Sequence, residues 1–336
     1  MRPLTVRLLS FPAVAVALLA LALSGTGAAA ATAPGWQPAL PVAADAPSSS
    51  APYYVWYDGP TGASVVNGFT GKTVAAFASP DGTQILGIAA AGDDRTFVLY
   101  TRRRFYELRL GCNGKPTWLV AVAGTPPPAG TSFAVSPDAR LVGYSTSTGG
   151  VMVVSLVTGA TRSWASGPGG SASDPSWAGD RYLAFQWQPS SSRGKAAAGI
   201  RLLDTRISTS RPVLAASRLI VAAAKLPAGL SGLFNPVITP DGSKVVAAAW
   251  VGPTGNFTAE IAEFSARTGR RLAVLLPPAR MPGHGFPCAP VWTDPSGAHL
   301  MASCGTAGVV NGARFTAVNL HLPDTSGITY SPFLAW

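Results

Sequence analysis

The residue types that carry most enzymatic and metal chemistry are scarce in this chain and do not cluster. Three histidines are present, His284, His299 and His321, and no two of them lie at the spacing of metal ligands. Glu260 and Glu263 are an odd number of residues apart, so they point to opposite faces of a regular strand. We therefore predict no metal site, no cofactor and no catalytic residue.

Nucleophile and phosphate-binding motifs are also missing. No Gly-x-Ser-x-Gly elbow occurs between a strand and a helix, and no glycine loop ends in Lys-Ser or Lys-Thr. Serine is plentiful, and a Ser-His-Asp triad stays an alternative, because its members have no fixed order along the chain.

Two of the three cysteines flank one predicted hairpin. If Asp294 pairs with Ala298, counting six residues outward on each strand places Cys288 opposite Cys304. Directly opposed strand residues have Cα atoms about 4.5–5.5 Å apart, within the range of a disulfide. We predict this bridge, which would stabilise the fold by roughly 3 kcal/mol; two reduced cysteines are the alternative. Cys112 is left over and is interpreted as an inert free thiol.

The N-terminal segment has the features of an export signal. Residues 1–31 contain Arg2 and Arg7, an uncharged apolar run over 8–23 and small residues at 28–31. A retained anchor helix is the alternative, although the run is short for a span of about 20 residues. Residues 32–52 are rich in Pro, Ala and Ser and are interpreted as a linker. No second long apolar run follows, so no membrane span is expected after signal removal.

Residues 53–336 are predicted to be one all-β domain, because short strands recur and two kinds of turn alternate between them. Tyr106, Leu108 and Leu110 alternate with Glu107 and Arg109, which is the period of a strand with two different faces. The first-set turns resemble Pro-Asp-Gly and lie at residues 92–95, 136–139, 178–181, 239–242 and 294–297. The second-set turns lie between them, at 70–72, 113–115, 158–160, 204–211, 268–270 and 324–327.

This alternation predicts a β-propeller. The first-set aspartates recur roughly every 40 to 60 residues, which fits a repeated four-stranded unit. Six second-set turns suggest six blades, with five or seven left open and a β-sandwich as the alternative fold. The first blade lacks a clear inner strand, and residues 332–336 would supply it, so N- and C-terminal strands would close the ring.

Two segments resemble a known motif. Residues 133–144 (FAVSPDARLVGY) and 236–246 (PVITPDGSKVV) are similar to the hairpin motif of TolB-type, WD40-like propellers. The whole chain also resembles secreted propeller proteins of actinobacteria, with a similar stretch at 93–98. The resemblance implies a propeller fold and a binding function, since TolB-type propellers mostly bind proteins. The Gly-His and Trp-Asp signatures of true WD40 repeats are missing, so their partners do not carry over.

The predicted strand order divides the connections between two faces. Both sets of short turns share one face, the tight-turn face. The longer connections share the other, the long-loop face, and include residues 102–104, 188–199, 217–232, 277–287 and 305–313. Long loops on a rigid scaffold carry function more often than tight turns.

The predicted charge is uneven between these faces. The chain has a formal net charge of +10, and cleavage of the signal leaves 23 basic and 15 acidic residues, or +8. The basic residues expected on the long-loop face are Arg102, Arg103, Arg104, Arg193, Lys195, Arg218, Lys225 and Arg280. Asp58 is the one acid expected near a loop tip there. Such a field attracts anionic partners; the alternative is that these charges only solvate the protein.

The sequence thus predicts a secreted, non-enzymatic propeller that acts as a binding or scaffold module in the cell envelope. Its partner would be a protein or an anionic envelope component, namely an acidic wall polymer, an anionic lipid surface or an acidic protein. Nucleic acid is not expected, because the chain is predicted to be exported and no strand combines basic with aromatic residues. The alternative is an extracellular hydrolase or lyase with acids in the central channel. The oligomeric state is left open.

Overall fold

The structure, a computed structural model, is built almost entirely from antiparallel β-sheets. It describes residues 53–57, 61–68, 70–93, 95–167, 169–190, 197–252, 258–279, 289–293, 300–303, 307–311, 314–317 and 334–335. The predicted signal (1–31) and linker (32–52) lie outside the described residues. Among the residues that the structure describes, no helix has the length and hydropathy that crossing a membrane requires.

The described strands form six four-stranded sheets. The first contains β1 (Tyr53–Tyr57), β2 (Gly62–Asn67), β3 (Thr73–Ala78) and the last strand of the chain, β24 (Leu334–Ala335). The second contains β4 (Ile85–Ala90), β5 (Thr96–Thr101), β6 (Phe105–Leu110) and β7 (Pro116–Val122). The third contains β8 (Phe133–Val135), β9 (Leu141–Ser145), β10 (Val151–Ser155) and β11 (Thr161–Trp164).

The remaining three sheets follow the same plan. The fourth contains β12 (Gly170–Ala178), β13 (Tyr182–Pro189), β14 (Gly199–Asp204) and β15 (Ser217–Ala222), with the short helix α1 (Val213–Ala216) before β15 and a 3-10 turn (Ala223–Lys225) after it. The fifth contains β16 (Leu230–Ile238), β17 (Lys244–Val251), β18 (Ala259–Ser265) and β19 (Arg271–Ala279). The sixth contains β20 (Ala289–Thr293), β21 (Leu300–Ser303), β22 (Ala307–Asn311) and β23 (Arg314–Ala317).

The predicted all-β propeller is confirmed by the order of strands within and between the sheets. Each sheet is ordered from an innermost strand outward, and the innermost strands β24, β4, β8, β12, β16 and β20 make contacts in that sequence from sheet to sheet. The number of described sheets is the predicted six. As predicted, the C-terminal residues supply the innermost strand of the first sheet, because Leu334 and Ala335 pair with Trp56 and Val55.

Burial within a sheet depends on whether neighbouring sheets cover both of its faces. Every residue of β5, a middle strand, is buried, whereas the outer strand β7 contains no buried residue. In β6 the predicted alternation is confirmed: Tyr106, Leu108 and Leu110 are buried, Arg109 is exposed and Glu107 is intermediate. The hydrophobic clusters accordingly join residues of adjacent sheets.

An aspartate closes the first-set turns of the third and fifth sheets in the same way. In the third sheet, Asp138 Oδ1 accepts hydrogen bonds from the Ser136 hydroxyl (2.6 Å) and the Arg140 N–H (3.0 Å). In the fifth, Asp241 Oδ1 accepts from the Thr239 hydroxyl (2.5 Å) and the Ser243 N–H (2.9 Å). The carboxylate replaces backbone partners that a tight turn leaves unpaired, which explains why these residue types repeat.

Direct hydrogen bonds join neighbouring sheets near the hub, which is the region lined by the innermost strands. Trp177 Nε1 donates to the carbonyl of Ala134 in the third sheet (3.1 Å), and this side chain is buried. The Ile238 N–H donates to Ser176 Oγ across the fourth and fifth sheets (3.0 Å). Trp177 therefore contributes to the packing between adjacent blades.

Two predicted connections of the sixth sheet are wrong. Residues 305–313 were expected to form one long connection, but β22 occupies Ala307–Asn311. β23 begins at Arg314 and pairs with β22, so the third and fourth strands are already complete before residues 324–327, where their turn is predicted. The sequence does contain a signal for this hairpin, because Asn311-Gly312 is typical of a two-residue connection between antiparallel strands, but it belongs to neither of the two recurrent kinds of turn. Residues 324–327 lie outside the described residues.

Candidate binding face

A turn of three consecutive arginines marks the long-loop face of the second sheet. Arg102, Arg103 and Arg104 join β5 to β6, and all three are exposed. Thr101 closes the turn: its N–H donates to the Arg104 carbonyl (3.0 Å), and its hydroxyl oxygen accepts from the Arg103 and Arg104 N–H groups (3.1 and 3.3 Å). The backbone is thus fixed by local hydrogen bonds, which leaves the guanidinium groups on the surface, as predicted.

An acid that sequence reasoning missed lies next to this turn. Asp81, in the connection between β3 and β4, accepts a hydrogen bond from the Thr101 hydroxyl through Oδ2 (2.8 Å). Its Oδ1 accepts from the Ser79 hydroxyl (3.1 Å) and from the N–H and hydroxyl of Thr83 (3.0 and 2.7 Å). Asp58, the acid predicted for this face, lies outside the described residues. The statement that it is the only acid near a tip is wrong.

The carboxylate of Asp81 is held in its charged form. Desolvation by burial raises its pKa, but the hydrogen bonds from Thr83, Thr101 and Ser79 outweigh that effect and hold the pKa well below its usual range. Burial and then a hydrogen bond with Asp81 raise the pKa of Tyr106, against a lowering by Arg104 and Arg103. A fixed negative charge therefore lies at the base of the arginine turn and reduces the positive field there.

The other predicted basic residues do not form one cluster. Lys225 is exposed in the 3-10 turn between the fourth and fifth sheets, on the long-loop face as predicted. The placement of Arg218 is wrong: it lies on β15, paired with Leu202 near the tight-turn end of the strand. Ser217–Ala222 supplies the fourth strand of the sheet instead of a loop, and burial lowers the pKa of the Arg218 guanidinium. Arg193, Lys195 and Arg280 lie outside the described residues.

The alternative of an enzyme with acids in the central channel requires carboxylates on the innermost strands. Asp174 is the one carboxylate on the described innermost strands. Glu260 forms an ion pair with Arg271 (2.7 Å) and Glu263 with Lys244 (3.2 Å), so the two glutamates have separate partners. No group of three His, Cys, Asp or Glu side chains that would hold a metal ion occurs in the part of the chain that the structure describes.

The remaining chemistry-bearing residues are placed as follows. Cys112 is free and exposed, and its carbonyl accepts a hydrogen bond from the Tyr53 hydroxyl (3.0 Å). All three histidines, together with Cys288 and Cys304, lie outside the described residues. The described register of β20 and β21 ends at the pair Ala289 and Ser303.

Comparisons with known proteins give structural resemblance without family membership. No protein-family model matches the sequence, and no curated protein matches it. The fold is similar to that of TolB from Acinetobacter baumannii (15% identity, TM-score 0.45), covering 78% of this chain and 61% of that one, so the chain spans less than two thirds of that protein. It is also similar to a putative TolB from Agrobacterium tumefaciens (13% identity, TM-score 0.46), covering 74% of this chain and 83% of that one.

A third similar structure is an enzyme, an oligogalacturonate lyase in complex with manganese (15% identity, TM-score 0.45, covering 82% of this chain and 74% of that one). Propellers host unrelated functions. The function of this chain therefore has to be inferred from its own surface.

Proposed function

We propose that this protein is a secreted, non-catalytic binding or scaffold module of the cell envelope, and that its long-loop face contacts an anionic partner. The observation that supports this proposal is the arginine turn of the second sheet, where three adjacent guanidinium groups are exposed. None of them forms an ion pair with a residue that the structure describes.

The rigidity of the turn makes it suited to binding. Because the Thr101 hydroxyl and N–H fix the backbone of Arg103 and Arg104, little backbone conformational entropy is lost when the turn meets a partner. Guanidinium groups bind carboxylate and phosphate in bidentate geometry, so acidic polymers, anionic lipids and acidic proteins share the required chemistry. Asp81 lies below the turn, and its negative charge would favour partners whose negative charge is concentrated at one position.

The proposal is tested by replacing the three arginines with alanine. Purified wall teichoic acid and vesicles of phosphatidylglycerol with phosphatidylcholine are immobilised separately, and binding is measured at low and at physiological salt. Exposed ion pairs contribute about 0.2–1 kcal/mol each, so the loss of three weakens binding by about 3-fold to 150-fold at low salt. The difference should shrink as salt is added.

The matched control removes the same charge from the tight-turn face. Arg211, Arg267 and Arg270 are all exposed, and their combined replacement by alanine changes the net charge by the same three units. We expect this control variant to bind nearly as well as the parent protein. Equal affinity of the parent and the Arg102–Arg103–Arg104 variant for both surfaces, or an equal loss in the control, contradicts the proposal.

A further inference from the structure

Three polar residues occupy one matched position in the repeat, either on an innermost strand or directly before it. Ser132 directly precedes β8, Asp174 lies on β12 and Asn235 lies on β16, in the third, fourth and fifth sheets. Each stands six residues before the aspartate of its first-set turn, which is Asp138, Asp180 or Asp241. The repeat therefore brings the three side chains to the same height beside the hub, from neighbouring sheets.

The backbone at two of these positions departs from regular strand geometry. Asp174 has φ 49° and Asn235 has φ 47°, both in the left-handed region, where Asp and Asn are the most tolerated side chains after Gly. A proline follows each of them, and the pairing register with the next strand shifts at both places. The regular alternation of side chains between the two sheet faces is interrupted here, and strain of this kind concentrates at binding sites.

The carboxylate of Asp174 connects the three sheets. Burial raises its pKa, against hydrogen bonds from the Ser132 hydroxyl and the backbone N–H of Asn235. The Ser173 hydroxyl is also within reach, but its one proton is donated to Gln186 Oε1 (3.3 Å). A carboxylate has about four acceptor positions, so these donors leave at least one of them open.

The neighbouring amide has an unpaired acceptor. Asn235 Oδ1 is buried and accepts no hydrogen bond from the residues that the structure describes. A buried acceptor without a donor is unfavourable, because it has lost its hydrogen bonds to water. Because the Asn235 N–H is bonded to Asp174, the unpaired oxygen and the open carboxylate position belong to adjacent residues.

We propose that Asp174 and Asn235, supported by Ser132, bind a primary ammonium group that enters along the hub. An ammonium has three N–H donors and no acceptor, so it would satisfy both open positions, and its charge would compensate the desolvated carboxylate. A calcium ion is less suited, because it takes six to eight oxygen ligands. This site goes beyond the proposed envelope function and does not depend on the arginine turn.

The test is calorimetric titration of the full chain with Nα-acetyl-lysine N-methylamide, which presents a primary ammonium as a peptide does. We expect saturable one-to-one binding, and none for the Nε-acetylated compound of similar size. Asp174→Asn should weaken binding at least 10-fold. The control Asp180→Asn, the same change six residues later, should leave it within 2-fold.

A second variant keeps the test informative if Asp174→Asn does not fold. Asn235→Gly removes the unpaired oxygen, keeps the backbone N–H that Asp174 uses and tolerates positive φ. It should weaken binding at least 3-fold while the melting temperature stays near that of the parent. The proposal is overturned if the parent shows no saturable binding, if the acetylated compound binds equally well, or if Asn235→Gly binds as tightly as the parent.

Discussion

The indole of Trp177 should be one of the strongest single contributors to packing between sheets. Trp177→Phe removes the Nε1 donor that reaches the Ala134 carbonyl at 3.1 Å in the neighbouring sheet. A hydrogen bond of this kind contributes about 0.5–1.5 kcal/mol. Besides this nitrogen, the smaller ring leaves two carbon atoms unreplaced in a site that is 5% exposed, which costs about 0.8 kcal/mol each. Together we expect a loss of about 2–3 kcal/mol in the free energy of unfolding.

Equilibrium urea unfolding, followed by tryptophan fluorescence and circular dichroism, measures this loss. The control is Trp118→Phe: the same change on the outer strand β7, at a side chain that is 51% exposed. We expect the control to cost less than about 0.5 kcal/mol and the slope with urea to be unchanged in both variants. A loss below about 1 kcal/mol for Trp177→Phe, or equal losses in the two variants, would refute the argument that the hub tryptophan links the sheets.

Three further outcomes follow from local geometry. Gly114→Ala should lower the free energy of unfolding by about 2–4 kcal/mol, because φ is 74° and the new Cβ would lie 2.3 Å from a ring atom of Tyr53. The control Gly130→Ala, with φ 77° and open space around the new Cβ, should lower it by about 1 kcal/mol. Urea unfolding measures both losses. Because the folded-state pKa of Asp81 is depressed, its stabilisation is present above the unfolded pKa of about 3.9 and lost as pH falls below it. The stability difference between parent and Asp81→Asn should therefore be largest near neutral pH and shrink in acid; a constant difference from pH 7 to pH 2 contradicts this. The Cys288–Cys304 disulfide stays a prediction: thiol titration of the unreduced, unfolded chain should find one free thiol, Cys112, and three would exclude the bridge.

The class of fold could be predicted from the sequence because the recurrent turns require particular residue types at fixed positions. The Ser136 and Thr239 turns each need a hydroxyl, a proline and an aspartate at fixed positions, and the spacing of such turns sets the size of the repeat. The hairpin between β22 and β23 was missed although Asn311-Gly312 indicates it, because the prediction followed only the two recurrent kinds of turn. Ser79-Pro80-Asp81-Gly82 has the same chemistry as a first-set turn but joins two sheets, so local sequence did not indicate on which face Asp81 lies.

The binding face was only partly predictable, because a charge pattern does not show which residues pair in a sheet. Arg102 to Arg104 stand between two clear strands, so their exposure followed from the pattern. Arg218 is followed by Leu219, Ile220 and Val221, which favour a strand, but the prediction treated 217–232 as one connection; Arg218 belongs to the outer strand of the fourth sheet. The position shared by Asp174 and Asn235 did have a signal, namely a polar residue before proline at a constant distance from the turn aspartate. Its meaning required the left-handed backbone and the cross-sheet hydrogen bond to Asp174.

The contact surface itself is tested most directly by photo-cross-linking to isolated cell envelope. A benzophenone amino acid is placed at Arg103, on the long-loop face, or at Thr268, an exposed residue of the turn between β18 and β19 on the tight-turn face. We expect adducts with envelope components from position 103 and few or none from position 268, with the signal from 103 reduced by added salt. Adducts formed mainly from position 268, or equally from both positions, would contradict the claim that the long-loop face is where this propeller binds.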